Sequence, residues 1–137
     1  MKKLSRRNFI GDTDKAAVPG IFILSAYYQP GKEMKKVFIY HVYFWLQHEE
    51  STEDLDKLVV GLKKLSAVTT IRQFHIGKPA ATSRDVIDGS YTLSWLVLFD
   101  NKSDQDSYQT DPIHLKFIED CSLLWQKVVV YDAVDIE

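Results

Sequence analysis

The chain has 137 residues, 45% of them hydrophobic and 26% charged, which is the profile of one globular domain and excludes a disordered or fibrous protein. Lys and Arg number 17 against 19 Asp and Glu, so a net charge of -2 gives no electrostatic reason to expect nucleic acid as a partner. The single cysteine, Cys121, excludes an internal disulfide and a cysteine-built zinc site, and no apolar run approaches the ~20 residues of a membrane-spanning helix.

Charge is uneven along the chain. Residues 1–35 hold seven basic and three acidic residues, leaving 10 basic against 16 acidic in residues 36–137. Ser5-Arg6-Arg7-Asn8-Phe9-Ile10 follows two lysines and precedes a mildly apolar stretch from Ala16 to Ala26. Residues 1–27 therefore resemble a twin-arginine export signal, and the expected location is outside the cytoplasm, by that route the periplasm. The alternative is an ordinary basic arm on a cytoplasmic protein. Residues 28–35, with Pro30-Gly31 amid charges, read as a linker, and the domain spans 36–137.

Val37 to Leu46 is β-branched and aromatic at both parities, so it reads as a strand with neither face turned to water. Ser51-Thr52-Glu53-Asp54 starts a helix, and Leu55, Leu58, Val59, Leu62 and Leu65 place one apolar stripe along it. Ile71 to Lys78 is a second strand, Ala80 to Ser90 a turn-rich loop, and Tyr91 to Phe99 a third strand. Ser103-Asp104-Gln105-Asp106 supplies the next helix start, and Asp111-Pro112 breaks and restarts that helix. His114, Phe117, Ile118, Cys121, Leu124 and Trp125 follow on one expected face, before a fourth strand from Lys127 to Ile136.

The order β-α-β-β-α-β is that of an α+β, ferredoxin-like fold: a four-stranded antiparallel sheet with both helices on one face. A first strand apolar on both sides leaves the second face in need of cover, and a self-complementary pairing of two sheets supplies it. The expectation is a homodimer enclosing a barrel.

Tyr108-Gln109-Thr110-Asp111-Pro112-Ile113-His114-Leu115-Lys116-Phe117, preceded by Phe99 and followed by Val130-Tyr131-Asp132, resembles the signature of stress-responsive dimeric α/β-barrel (Dabb) domains. The resemblance covers about residues 36–134. It implies the dimeric barrel and a mixed range of activities, from stress-stabilising oligomers to a plant polyketide cyclase. The cyclase's site residues fall on Tyr108, His114, Trp125 and Asp132; by that resemblance His114 is the base of an aldol condensation and Tyr108 polarises a carbonyl. A further cyclase His falls on Leu93 here, and its first-strand His matches His41 only if the register slips by one residue.

A histidine near neutrality exchanges protons at working pH, and Asp132 is expected to fix the tautomer of His114. His41, Trp125, Asp132 and Val130 are the expected binding residues. His41 and His75 lie on neighbouring strands with a barrel lumen as a possible meeting place, but no spacing supports a metal, and no nucleotide motif occurs. No cofactor is expected. His48 reads as exposed, Cys121 as buried bulk, and Trp45, Trp95 and Trp125 as core or interface mass.

Three functions stay open. One is a homodimeric module binding a small hydrophobic or aromatic molecule; the second is a cofactor-independent enzyme, cyclase-like or monooxygenase-like, with His114 as base and Tyr108 as acid. The third is a purely structural stress-stabilising oligomer.

Overall fold

The computed structural model describes residues 26–137 and divides into two compact units, Met1–Met34 and Lys35–Glu137. The proposed export segment lies almost wholly outside the described residues. What is described of the first unit is a short stretch with one 3-10 turn over Pro30–Lys32, closed by the Lys32 N–H donating to the Gln29 carbonyl.

In the second unit, strand β1 (Phe38–Leu46) leads to helix α1 (Thr52–Leu65), strands β2 (Gln73–Gly77) and β3 (Leu93–Phe99), helices α2 (Lys102–Thr110) and α3 (Pro112–Cys121), and strand β4 (Trp125–Val134). The strands lie in the order β2-β3-β1-β4 with every neighbouring pair antiparallel, and all three helices belong to one side. This is the expected α+β, ferredoxin-like arrangement.

Local chemistry accounts for the helix boundaries. Ser51 caps α1 by accepting from the Asp54 N–H at 3.1 Å, with Glu53 and Asp54 in the first turn and Lys63 and Lys64 in the last, each complementing the helix dipole. Asp111 ends α2 and starts α3: its backbone is extended, its carboxylate accepts from the Ile113 N–H at 2.8 Å, and Pro112 occupies a first-turn position where its missing N–H costs nothing. The cap of α2 is Asn101, whose side-chain oxygen accepts from the Asp104 N–H, and not Ser103. An amide side chain caps as well as a hydroxyl, so the helix starts earlier than the Ser-Asp pattern indicates.

Strand β1 alternates without exception. Phe38, Tyr40, Val42, Phe44 and Leu46 are buried toward the helices, while Ile39, His41, Tyr43 and Trp45 are half-buried on the opposite, open face. Leu93, Trp95, Val97 and Phe99 of β3 join the first set, Ser94, Leu96 and Leu98 the second. Leu58, Leu62 and Leu65 of α1, Tyr108 of α2, and Phe117 and Cys121 of α3 close the core. Helices α1 and α3 meet at Gly61, where an added Cβ would stand 2.5 Å from the Cys121 sulfur.

Three expectations need correction. Trp125 is not on the helical stripe: the helix ends at Cys121, a 3-10 turn covers Ser122–Leu124, and β4 opens with Trp125, two residues before the expected start. Ile118 is exposed, because the α3 surface facing α1 and the sheet is the one carrying His114, Phe117 and Cys121. Ile71 and Lys78 fall outside β2, an edge strand held by β3 alone.

Candidate functional site

Six rings form a chain of contacts between the helices and the β1 half of the sheet. Tyr40 packs against Tyr108 with ring centroids 5.6 Å apart, Tyr108 against His114 at 4.7 Å, and His114 against Phe117 at 6.5 Å. Phe117 stacks on Trp125 at 5.8 Å, and Trp125 returns to β1 through Phe44 at 4.9 Å. The α2–α3 break is what brings the first half of this arc together, because it turns the chain between Tyr108 and His114.

The polar atoms in the arc are individually held. Tyr108 is 1% exposed, and its hydroxyl oxygen accepts from the Trp95 indole N–H at 3.2 Å, leaving its own proton to donate. Burial, with Tyr40 beside it, pushes the Tyr108 phenol far above its ordinary range, so it is held in the neutral form. His114 is 8% exposed, and its Nδ1 lies 3.0 Å from the Gln109 carbonyl. A carbonyl only accepts, so Nδ1 carries the proton and the neutral ring keeps its lone pair on Nε2. Burial holds His114 below the usual histidine range, partly offset by the Gln109 carbonyl and the Asp111 charge. The group that sets the tautomer is thus Gln109, not Asp132.

Asp132 stands elsewhere in the same region. It pairs in register with Tyr40, whose phenol is raised by burial first and by the Asp132 charge last, with a hydrogen bond from the Gln109 side chain working against them. Val130 pairs with Val42 and Val128 with Phe44, so all three β4 residues share the parity of the helix-covered face. Yet Val128 is 44% and Val130 42% exposed, since the helices reach over β1 and β3 and leave the β4 edge bare. Tyr108, His114, Trp125, Val130 and Asp132 therefore sit on one side of the sheet.

His41 does not join them. The register does not slip: Tyr40 faces the arc and His41 the open face, where its Nδ1 lies 3.0 Å from the Tyr43 hydroxyl. Tyr43 in turn contacts Tyr91 at 4.9 Å and Tyr131 at 5.9 Å, Trp45 donates to Ser90, and the Lys127 ammonium lies 4.5 Å over the Trp45 ring. Tyr43, Trp45, Asp88, Tyr91, Lys127, Val129 and Tyr131 enclose a hollow of about 420 Å³. Among the described residues no three His, Cys, Asp or Glu side chains group as a metal site would require, and no helix is long and apolar enough to cross a membrane.

A groove of about 1110 Å³ runs along the outer surface between α1 and α3, over Val60, Gly61, Phe117 and Cys121. On its rim Lys57 pairs with Glu53 and Lys116 with Asp120, and neither the His114 imidazole nor the Tyr108 phenol lines it.

Tyr40 and Gln109 are the site residues that sequence reasoning did not find. Tyr40 had a signal in its parity with Phe38 and Phe44; Gln109 had none, because its role depends on a carbonyl exposed by the helix break.

The family model of the stress responsive A/B barrel domain matches residues 39–135. Solved structures of similar shape include a Dabb family protein with a ferredoxin-like fold from Mesorhizobium loti (20% identity over 74% of this chain and 98% of that one, TM-score 0.62). A dimeric ferredoxin-like protein of unknown function from Thermobifida fusca is similar at 14% identity, 72% and 90% coverage and TM-score 0.59. The hydroxynitrile lyase of Passiflora edulis is similar at 17% identity, 74% and 94% coverage and TM-score 0.63. A search of curated proteins by sequence finds no match.

Proposed function

The chain belongs to the stress-responsive A/B barrel (Dabb) domain family, and from that premise we propose a homodimeric barrel that takes a small hydrophobic or aromatic molecule beside His114 on the helix-covered side of each sheet. The observation that carries the reading is the bare β4 edge next to an arc of aromatic rings. Val128 and Val130 carry the parity of a core face and remain uncovered. An apolar ligand laid there removes their surface from water at about 25 cal/mol per Å². The His114 Nε2 lone pair supplies an acceptor for a hydroxyl on it, with the Tyr108 ring packed against the imidazole.

The dimer reading draws on the open face. Ile39, Tyr43, Trp45, Leu96 and Tyr131 form an apolar and aromatic surface on that face, and a twofold pairing of sheets removes it from water. The Thermobifida fusca protein of similar fold is described as dimeric.

A specific observation also favours a catalytic variant: the Gln109 carbonyl commits His114 to a tautomer with a free basic Nε2 at neutral pH. In that variant Nε2 takes a proton from a carbon next to a carbonyl while the Tyr108 hydroxyl polarises that carbonyl, with no cofactor. The Passiflora edulis protein, a lyase, indicates that this fold type accommodates enzyme chemistry.

Titration with a panel of aromatic polyketides, followed by calorimetry and by product analysis, tests both readings. We expect binding that Val130→Trp blocks by filling the bare strip, and that His114→Ala weakens about tenfold. Conversion lost in His114→Ala adds the enzyme reading; no binding across the panel leaves the structural oligomer. Export through the Ser5-Arg6-Arg7 segment is a separate proposal, and a mature chain from the native cell that still starts at Met1 would contradict cleavage.

A further inference from the structure

The open face of the sheet carries a row of four side chains at one level, one from each strand. Tyr131 of β4 pairs in register with His41 of β1, His41 with Leu96 of β3, and Leu96 with His75 of β2. One strand separates the two histidines, which sets them on the order of 10 Å apart at the usual strand spacing.

Among the described residues, no acid stands at the level of this row to balance a positive imidazole; Arg72, which lines one hollow with His75 and Leu96, is itself a cation and is paired with Asp100 at 3.8 Å. Strand β1 contributes the Tyr43 hydroxyl, 3.0 Å from His41 Nδ1; β2 contributes His75; β3 contributes only Ser94, Leu96 and Leu98. From β4 come Tyr131 and Lys127, and from the segment before β3 come Tyr91 and Asp88. Asp88 lies at the Trp45 end, bonded to the Ser90 N–H and acted on by Lys127. Asp135, at the opposite end, accepts from the Lys36 and Val37 N–H groups. At the level of His41 the neighbours are a phenol, a leucine and a second histidine.

We infer that this row makes the sheet-to-sheet contact acid-sensitive: the dimer holds while His41 and His75 are neutral and opens when they take up protons. The inference rests on the dimeric reading above. Closing two such faces together places two copies of each histidine in one enclosed space of rings and aliphatic groups. An imidazolium there loses its water and gains no partner, and every further one repels those already present.

The isolated face already leans this way. His41 is held below the usual histidine range by burial first and by the charge of His75 second. The sign follows from linkage. The paired state disfavours the protonated rings, so the contact has its full strength above the ordinary histidine range and loses it as pH falls through that range. Burial raises the Tyr43 phenol above its ordinary range, so it stays neutral throughout and contributes no opposing step.

Sedimentation equilibrium of the full chain at pH 7.5 and pH 5.0 tests this, using wild type and the double variant His41→Gln, His75→Gln. We expect the wild-type dimer constant to weaken by about tenfold or more across that interval, and that of the double variant by less than about threefold. An equal weakening in both proteins overturns the inference, since His114 is retained in each. A wild-type dimer equally tight at both pH values overturns it and leaves the dimer standing; a chain monomeric at pH 7.5 removes the dimeric reading itself. Circular dichroism checks that the variant is folded. If it is not, NMR titration of the wild-type His41 ring below and above the dimer constant decides, with a lower midpoint expected in the concentrated sample and identical midpoints counting against the proposal.

Discussion

Along β1, Phe44 and Trp45 are consecutive aromatic residues with opposite fates. Phe44 is enclosed by Phe117 and Trp125, and helices close its face of the sheet over β1 and β3. Trp45 lies half-buried with its indole N–H turned to Ser90 and the Lys127 ammonium over its ring. The same division separates Tyr108, whose hydroxyl meets a buried indole, from Tyr131, which is 65% exposed. Residue type does not distinguish the two faces; what lies opposite each of them does. The helix-covered face stabilises the chain and frames the candidate site; in the proposed dimer the open face has its use between chains.

Substitutions on the two faces are expected to fail in different ways. The largest effect on folding is that of Trp95→Ala, which empties a fully buried indole site and orphans the Tyr108 hydroxyl; we expect about 3–5 kcal/mol lost in denaturant unfolding. Loss of less than about 1 kcal/mol would mean that this face is not the core. Leu96→Glu, on the open face between the two histidines, is expected to keep the monomer folded and to weaken association on the order of a hundredfold, as read by sedimentation. A variant that unfolds would show the open face to be part of the chain's own core.

The helix layer is probed by Gly61→Ala. Its Cβ would meet the Cys121 sulfur, so a cost of about 1–3 kcal/mol is expected, most of it relieved when Cys121→Ala is added. His114 is held below the ordinary histidine range, so the neutral ring is the folded form. Stability is therefore complete above that range and declines as pH falls through it, and His114→Gln should flatten the acid side of the stability curve. The smallest effect is at the end of the sheet, where Asp135→Ala removes the acceptor for two backbone N–H groups and is expected to cost about 0.5–1.5 kcal/mol in thermal unfolding.

Much of the fold was legible because its signals are local. Ser51 ahead of two acids, and Asp111 ahead of Pro112, each satisfy backbone N–H groups within three residues, so neighbouring sequence suffices to place those caps. The cap at Asn101 is less legible, because Ser103 two residues later offers a similar oxygen and only the backbone conformation chooses between them. The spacing of Trp125 from Cys121 fits a helical turn, and the intervening 3-10 segment leaves no periodic trace.

The site was legible in part. Tyr108 and His114 are close in the chain and their motif marks them, whereas the partners that set their chemistry are remote or unmarked. Trp95 reaches Tyr108 from β3, and Asp132 reaches Tyr40 only through the β1–β4 pairing.

What the sequence by itself determined is the order of elements, the two-sided apolar character of β1, and the family motif, because alternation, helical spacing and capping act over a few residues. The tertiary structure alone decided that Tyr40 and not His41 faces the arc, that Gln109 and not Asp132 holds the His114 ring, and that the β4 edge stays bare. Each of these depends on strand register or on the reach of a helix across a sheet, and such distances are fixed by packing between segments that the linear chain keeps far apart.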